Sequence, residues 1–414
     1  MTRAILVFLL SLLSCLPVAA QPTVGISSID GVTNGTIVQL TSEYLEVDNP
    51  HQQIPLQDLV CMGGIRERAN RSWVILKHGE VIVADQLTLH SDSIHLESLF
   101  WQPLDVDWQE VSAVIRNVPK VLSARDRLLK TLFTPAASPF VIFNQGTRIN
   151  GNVSFLADGQ IRIESPTINK ELVVPFTELS AYVNQSIVAE DPATSFVGFA
   201  DGSFGGAAKV SRDGSSLHWT TSTGIVLRTA EPFFNLEDFN VWEQLIHFRP
   251  GHSHFVYLDD LEPSSTTILP FFDGNLGHDV TGQRVAPGLG LNSQKGRLRQ
   301  GANLYLHGIG MTSLSRVSFV VPTKATRFQA EVAVDTIAGK RGSVTFHVYL
   351  RRESGDWESV YASGVVRGRD TPQAIDVDLE SAQQLALVVG MADRAKVADY
   401  ANWLNARFVI RTDD

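Results

Sequence analysis

Short runs in which apolar and polar residues alternate recur through most of this chain. Ile161-Arg162-Ile163-Glu164 and Leu217-His218-Trp219-Thr220 are clear cases. A period of two belongs to a half-buried antiparallel strand, with one face on a core and the other toward water. Asp158-Gly159 and Asp213-Gly214, lying between such runs, supply the positive φ that tight hairpins need.

The pattern returns four times before residue 250, each time as a glycine turn, alternating strands, a polar turn and an apolar-x-acid-apolar ending. The first copy starts at Asp30-Gly31 and ends Leu56-Gln57-Asp58-Leu59. The second has Trp73-Val74-Ile75-Leu76-Lys77-His78-Gly79 and ends Trp108-Gln109-Glu110-Val111. The third has Phe140-Val141-Ile142-Phe143-Asn144-Gln145-Gly146 and ends Phe176-Thr177-Glu178-Leu179. The fourth has Phe196-Val197-Gly198-Phe199-Ala200-Asp201-Gly202, and its ending is read at Leu236-Glu237-Asp238-Phe239. Each unit of roughly 40 to 50 residues predicts a small curled barrel or a meander of three to five strands, closed by a short turn of helix or 3₁₀. A unit this small has a thin core, so neighbouring copies are expected to pack together. Register must be shared, because a one-residue slip turns every apolar side chain outward. Leu56, Trp108, Phe176 and Leu236 are therefore expected at equivalent places.

One stretch of the first half reads as helix. Ser123 to Phe133 sets Leu128, Leu129 and Leu132 on one face and meets Pro135, a natural stop. It is read as a linker dividing two pairs of repeats, with a second break at Arg249-Pro250-Gly251. Beyond it the alternation resumes. Phe328, Ala330, Val332 and Val334 alternate with polar partners, as do Val344, Phe346 and Val348, then Ile375, Val377 and Leu379, then Leu385, Leu387 and Val389. Many short strands at regular spacing predict a two-sheet sandwich of jelly-roll type. The expected class is all-β, with repeated small β-barrel or meander units followed by a C-terminal jelly-roll-type β-sandwich. The divisions are a leader at 1–20, repeats one and two at 21–122, a linker helix at 123–137, repeats three and four at 138–250, and the sandwich at 251–414.

Composition narrows the partners. The formal net charge of −10 disfavours nucleic acid and anionic lipid, which are held through basic surfaces. Thr2-Arg3, the apolar run Ala4 to Leu13 and Val18-Ala19-Ala20 read as a secretory signal cleaved after Ala20, too short to span a membrane. Leu12-Leu13-Ser14-Cys15 offers a lipoprotein signal as the lesser alternative. The expected location is periplasmic or extracellular. Past the leader only Cys61 remains, so no intramolecular disulfide forms, and the thiol is read as a small buried hydrophobe.

Candidate chemistry is sparse. His247, His252 and His254 match no metal-site spacing and are read as a solvated linker. Asp259, Asp260 and Glu262 are too close together for the flanking carboxylates of a glycosidase and are given a structural role. Asp105 and Asp107, beside Trp101 and Trp108, are read as surface positions around an inward Val106. No nucleophile elbow, zincin helix, phosphate loop or dinucleotide fingerprint is found.

The last third carries an ordered set of short passages. They are Tyr257-Leu258-Asp259-Asp260-Leu261-Glu262-Pro263, the glycine stretch Leu306 to Ser313, Arg327 to Asp335, Arg341 to Val348, and Val397 to Phe408. In this order they resemble the NPCBM/NEW2 family, a carbohydrate-binding module family first noticed beside glycoside hydrolases. The resemblance implies a β-sandwich that binds sugar. Gly308, Gly310, Ser313, Asp335, Gly342, Asp399 and Trp403 fit the family pattern, whereas Thr312 stands where a histidine is expected and Asn402 where aspartate is commoner.

Two roles compete for these residues. Asp335 and Asp399, with Asn402, suit a structural calcium, a hard cation that takes carboxylate and amide oxygens. Asp399 and Asn402 equally suit sugar hydroxyls, with Trp403 or Trp357 offering a ring face to a pyranose. Against both, Trp403 is read as a core anchor and Asp399 as a cap. The resulting expectation is an exported, non-catalytic protein that binds carbohydrate or glycoprotein, with a sandwich that folds alone as 255–414. The alternative is a cell-envelope structural protein with protein partners and no sugar binding, and a hydrolase with an unseen site stands third.

Overall fold

A computed structural model describes residues 24–135, 138–156, 159–166, 170–188, 194–230, 240–251, 254–268, 287–353, 355–393 and 397–411. The expected leader with Cys15, and the positions Asp158, His252 and Leu236 to Phe239, lie outside the described residues.

The first half is four small curled β meanders built to one plan. In each, an apolar strand turns into a second that is long and bent or broken in two, two more strands follow, and a closing strand returns to the first. The closing pairs are Ile26↔Met62, Val74↔Val114, Val141↔Tyr182 and Val197↔Phe248. Every one of these pairings carries a bulge at its end, at Ser27/Ser28, Val111/Ala113, Ile142/Phe143 and Gly198/Phe199. A bulge bends a strand and raises its twist, which lets so short a sheet curl.

A tight turn precedes the closing strand each time. It is the turn Leu56 to Asp58 in the first unit and the 3₁₀ helices Trp108–Glu110, Phe176–Glu178 and Val241–Gln244 in the others. In the fourth unit this turn is Trp242-Glu243-Gln244-Leu245, while the expected ending Leu236 to Phe239 lies outside the described residues. Gln244 stands there where the other copies carry Asp or Glu, so this turn does not follow the apolar-x-acid-apolar spelling.

The units are joined edge to edge in a single 16-stranded sheet, and their spatial order is three, two, four, one. Closing strands meet at Val114↔Tyr182 and Phe248↔Met62, while Phe204↔Val81 ties unit four to unit two. Along this sheet the neighbours are therefore three and two, two and four, and four and one. Tryptophans weld the neighbours. Trp108 stacks on Phe155 of unit three at 3.8 Å, and Trp101 meets Phe199 of unit four edge-on at 4.9 Å. The helix Leu122–Phe133 covers the outer face of the sheet with Leu129 and Leu132, over Trp73, Ile75 and Phe140.

The C-terminal part is a sandwich of two six-stranded antiparallel sheets. Its spine is the pairing of Ala325–Val334 with Tyr400–Ile410. Phe328, Phe346, Phe319, Trp403 and Phe408 fill the space between the sheets. Glycines mark where backbones touch. A side chain on Gly310 would meet the Asn292 backbone at 2.3 Å, and one on Gly342 the Ala398 carbonyl at 2.4 Å.

The sandwich is not a detached body. Its hairpin Leu298–Gln300 and Asn303–Tyr305 continues onto Ile65–Arg66 of the first unit's tail. Beside this seam Arg299 donates to Glu67 (2.8 and 3.0 Å) and to Asp126 of the helix (2.6 and 3.0 Å), and Arg125 also pairs with Glu67. Elsewhere Gln329 donates to the Ser28 carbonyl and Arg407 to Ser27 Oγ at 2.6 Å. Cys61 and Val60 pack on Phe255 and Val409, so the thiol is the buried hydrophobe expected, and burial raises its pKa. Among the described residues no helix is long and apolar enough to cross a membrane.

Candidate functional site

The opening motif of the sandwich folds into a corner. Strand Phe255–Tyr257 lies along the last strand, and the 3₁₀ turn Leu258–Asp260 is pinned by the buried Leu258. The turn swings Asp259 back, where Oδ1 accepts from the Gly308 amide and Oδ2 faces His307 Nδ1, both at 3.1 Å. The imidazole is stacked flat on Tyr257 at 3.7 Å. Asp260 stands outside, its pKa raised by partial burial against the opposing pull of His307. Donor atoms of Asp259, Asp260 and His307 lie within 4.8 Å of one another. Asp259 is committed to a backbone N–H and an imidazole, so this is a fastener between two strands.

Asp335 and Asn402 come together, but in the interior. Asp335 caps the 3₁₀ turn Thr336–Ala338 by accepting from Ile337 N at 2.9 Å, and its Oδ2 accepts from Asn402 Nδ2 at 2.6 Å and Asn292 Nδ2 at 3.4 Å. Burial raises the Asp335 pKa, and these donors act against that rise. Asp399 Oδ1 accepts from the Ser343 amide at 3.2 Å. The expected calcium pair is thus drawn into N–H donors, which cannot ligate a cation, and the geometry is that of capped turns.

Trp403 is fully buried, edge-on to Phe346 at 5.1 Å. Its ring has no face for a sugar, and of its two expected roles the structure leaves the core anchor. Asn402 and Asp399 are likewise buried and present no surface to a solution ligand. Trp357 is different. It opens the strand Trp357–Ala362 after a turn at Gly355, whose φ of +91 requires glycine. Its ring is half-buried, with the guanidiniums of Arg316 and Arg351 at 4.1 and 5.5 Å from the centroid. A sugar stacking there must share the ring with these cations.

The order of passages, the glycines at close approaches and the two sheets, which end at Ile410, coincide with residues 255–409, the span that matches the NPCBM/NEW2 family. The C-terminal sandwich is an NPCBM/NEW2 domain. One relative of the chain is a Renibacterium salmoninarum protein named "Putative endo-alpha-N-acetylgalactosaminidase", 28% identical over 112 residues, which are 27% of this chain and 7% of that protein. Among solved structures, the chain is similar to CBM51 from Clostridium perfringens GH95 in complex with methyl-galactose, at 22% identity and TM-score 0.30 over 37% of this chain and 99% of that one. It is also similar to the tandem CBM51 modules of a Streptococcus pneumoniae family 98 glycoside hydrolase, at 11% identity and TM-score 0.30 over 82% of this chain and 88% of that one.

The polar positions of the NPCBM/NEW2 domain that matter most escaped sequence reasoning. Gln329 and Glu331 read as the solvent side of an alternating strand, and Arg407 lies on its partner. They face the repeats instead. Their only sequence signal is polarity within a strand otherwise apolar, which many solvent-exposed strands share. His247 was likewise misread as a solvated linker. It sits in the closing strand Leu245–Arg249 with Nδ1 3.3 Å from the Gly63 carbonyl, and burial lowers its pKa to about 4.

Proposed function

We propose that this chain is an exported, non-catalytic carbohydrate-binding protein whose NPCBM/NEW2 domain supplies the sugar site and whose four repeats are its scaffold. The match of the complete C-terminal sandwich to a carbohydrate-binding family carries this reading. The leader-like start of the sequence supports export. Galactose-like neutral sugars are the first ligands to try, with weak affinity expected of a shallow site. Trp357 is the sandwich tryptophan that solvent reaches, and it is the residue we assign to stacking.

The test is the whole chain on a broad glycan array, with and without calcium, followed by calorimetry on the best ligand. Trp357→Ala should abolish binding while leaving the melting temperature within about 2 °C of wild type. A blank array under both conditions would defeat the sugar reading and leave the envelope-interaction alternative in its place.

A further inference from the structure

A cleft of about 340 Å³ lies between the first repeat unit and the NPCBM/NEW2 domain. Its walls come from both bodies: Arg66 and Glu243 from the repeats, Asn303, Tyr305, Glu331 and Arg407 from the domain. Arg407 is 3% exposed. It donates through Nη1 to the Asn405 carbonyl and through Nη2 to Ser27 and Gln329, yet its Nε has no hydrogen-bond partner among the described residues. A buried guanidinium N–H left without an acceptor is costly and asks for one. Glu331 accepts from Tyr305 Oη at 3.2 Å. Burial raises its pKa, with the Arg407 charge acting against the rise.

The charges around the cleft cancel: two guanidiniums, Arg66 and Arg407, face two carboxylates, Glu243 and Glu331. An anionic ligand would be repelled by the acids and a cationic one by the arginines. A neutral molecule with adjacent hydroxyls suits both, because each hydroxyl accepts from a guanidinium or the Asn303 amide and donates to a carboxylate. The volume stands at the small end of the range for small-molecule sites and admits one ring rather than a chain of sugars. Pro372 and Ala374 at the mouth leave the cleft open to solvent.

We propose that this cleft is a second binding site, specific for a single neutral six-membered ring bearing vicinal hydroxyls, and formed only where the repeats and the NPCBM/NEW2 domain meet. It extends the sugar-binding reading but does not use Trp357. The ligand bridges the two bodies, so binding strengthens the seam between them.

The experiment titrates the whole chain with methyl β-galactopyranoside, N-acetylglucosamine, myo-inositol and glucuronate, read by calorimetry and by the melting temperature. At least one neutral ring should bind and raise the melting temperature as its concentration rises. Glu331→Gln and Arg66→Ala should each weaken that binding about tenfold or more, whereas Leu99→Ser, on an exposed face of unit two, should leave it unchanged. The Arg66 side chain is exposed at the rim, so that variant tests the site without disturbing the core. Binding that survives both substitutions overturns the cleft site. So does tighter binding of glucuronate than of every neutral ring. If no single ring binds but the array still lights up, the cleft proposal falls and the surface-site reading stands. If both are blank, both fall.

Discussion

At the scale of single residues, chemistry followed burial. The carboxylate and amide of Asp335 and Asn402 are the residue types that calcium or a sugar takes, yet their 2.6 Å contact is a sealed hydrogen bond. This makes Asn402→Asp informative. The change removes the Nδ2 donor and sets two carboxylates against each other in the interior, which should cost on the order of 3 kcal/mol at neutral pH. Adding calcium should restore part of the loss, because a cation between two carboxylates removes their repulsion. Denaturant melts of both proteins, with and without the ion, measure this. An Asn402→Asp protein as stable as wild type without calcium would show that Asp335 is not confined as described. The residue types of this cluster were legible in the sequence. Their direction was not, since a polar residue in a strand is inward or outward according to what covers that face.

At the scale of elements, the repeated strand plan sets the environment of its titratable groups. His247 lies on the closing strand of unit four, beside Phe196 and the Gly63 carbonyl, with the charges of Arg249 and Arg407 adding to the burial that lowers its pKa to about 4. The folded chain holds this imidazole neutral, while the unfolded chain protonates it near the ordinary value of 6.5. The unfolded state therefore binds more protons, and stability is lost as pH falls from 6.5 toward 4. Asp201, in the turn of the same unit, has its pKa raised by burial to about 6 and works in the opposite sense over much of that window. The difference between wild type and His247→Gln isolates the histidine. Wild type should lose up to about 3 kcal/mol relative to the variant between pH 6.5 and 4, read from urea midpoints. Parallel pH curves would show that the imidazole is solvated.

At the scale of the whole molecule, the seam between repeats and sandwich changes what counts as a domain. Arg299 and Glu67 are nearly sealed from solvent, with side chains 4% and 3% exposed, and each is the other's main partner across the boundary. Breaking such a pair costs about 3–5 kcal/mol, because one charge stays buried without its counterpart. Fragment 255–414, which the sequence reading expects to fold alone, would expose Phe255 and Val409 and leave Arg299 without Glu67 and Asp126. It should melt many degrees below the whole chain or without a cooperative transition, and Glu67→Gln in the whole chain should lower the melting temperature in the same direction. Calorimetry on the three proteins decides. A fragment as stable as the parent would make the seam incidental.

The sequence by itself determined the class of the fold: strands, their inward faces, the repetition of one small unit and the sandwich at the end. These follow from local rules, the period-two alternation and the glycine turns that every copy must obey to bury its own apolar face. The turn before the closing strand of the fourth copy escaped the spelling, because Gln244 stands where the other copies carry an acid. Only the tertiary structure decided which units are neighbours, since edge-to-edge pairing of closing strands depends on complementary surfaces far apart in the chain. It alone turned Gln329 and Glu331 from solvent-side positions into the lining of a seam and a cleft, and placed Arg299 and Arg407 there. The physical reason is the same in each case. Alternation reveals that a strand has two faces, and only the packing of distant segments determines what the second face meets.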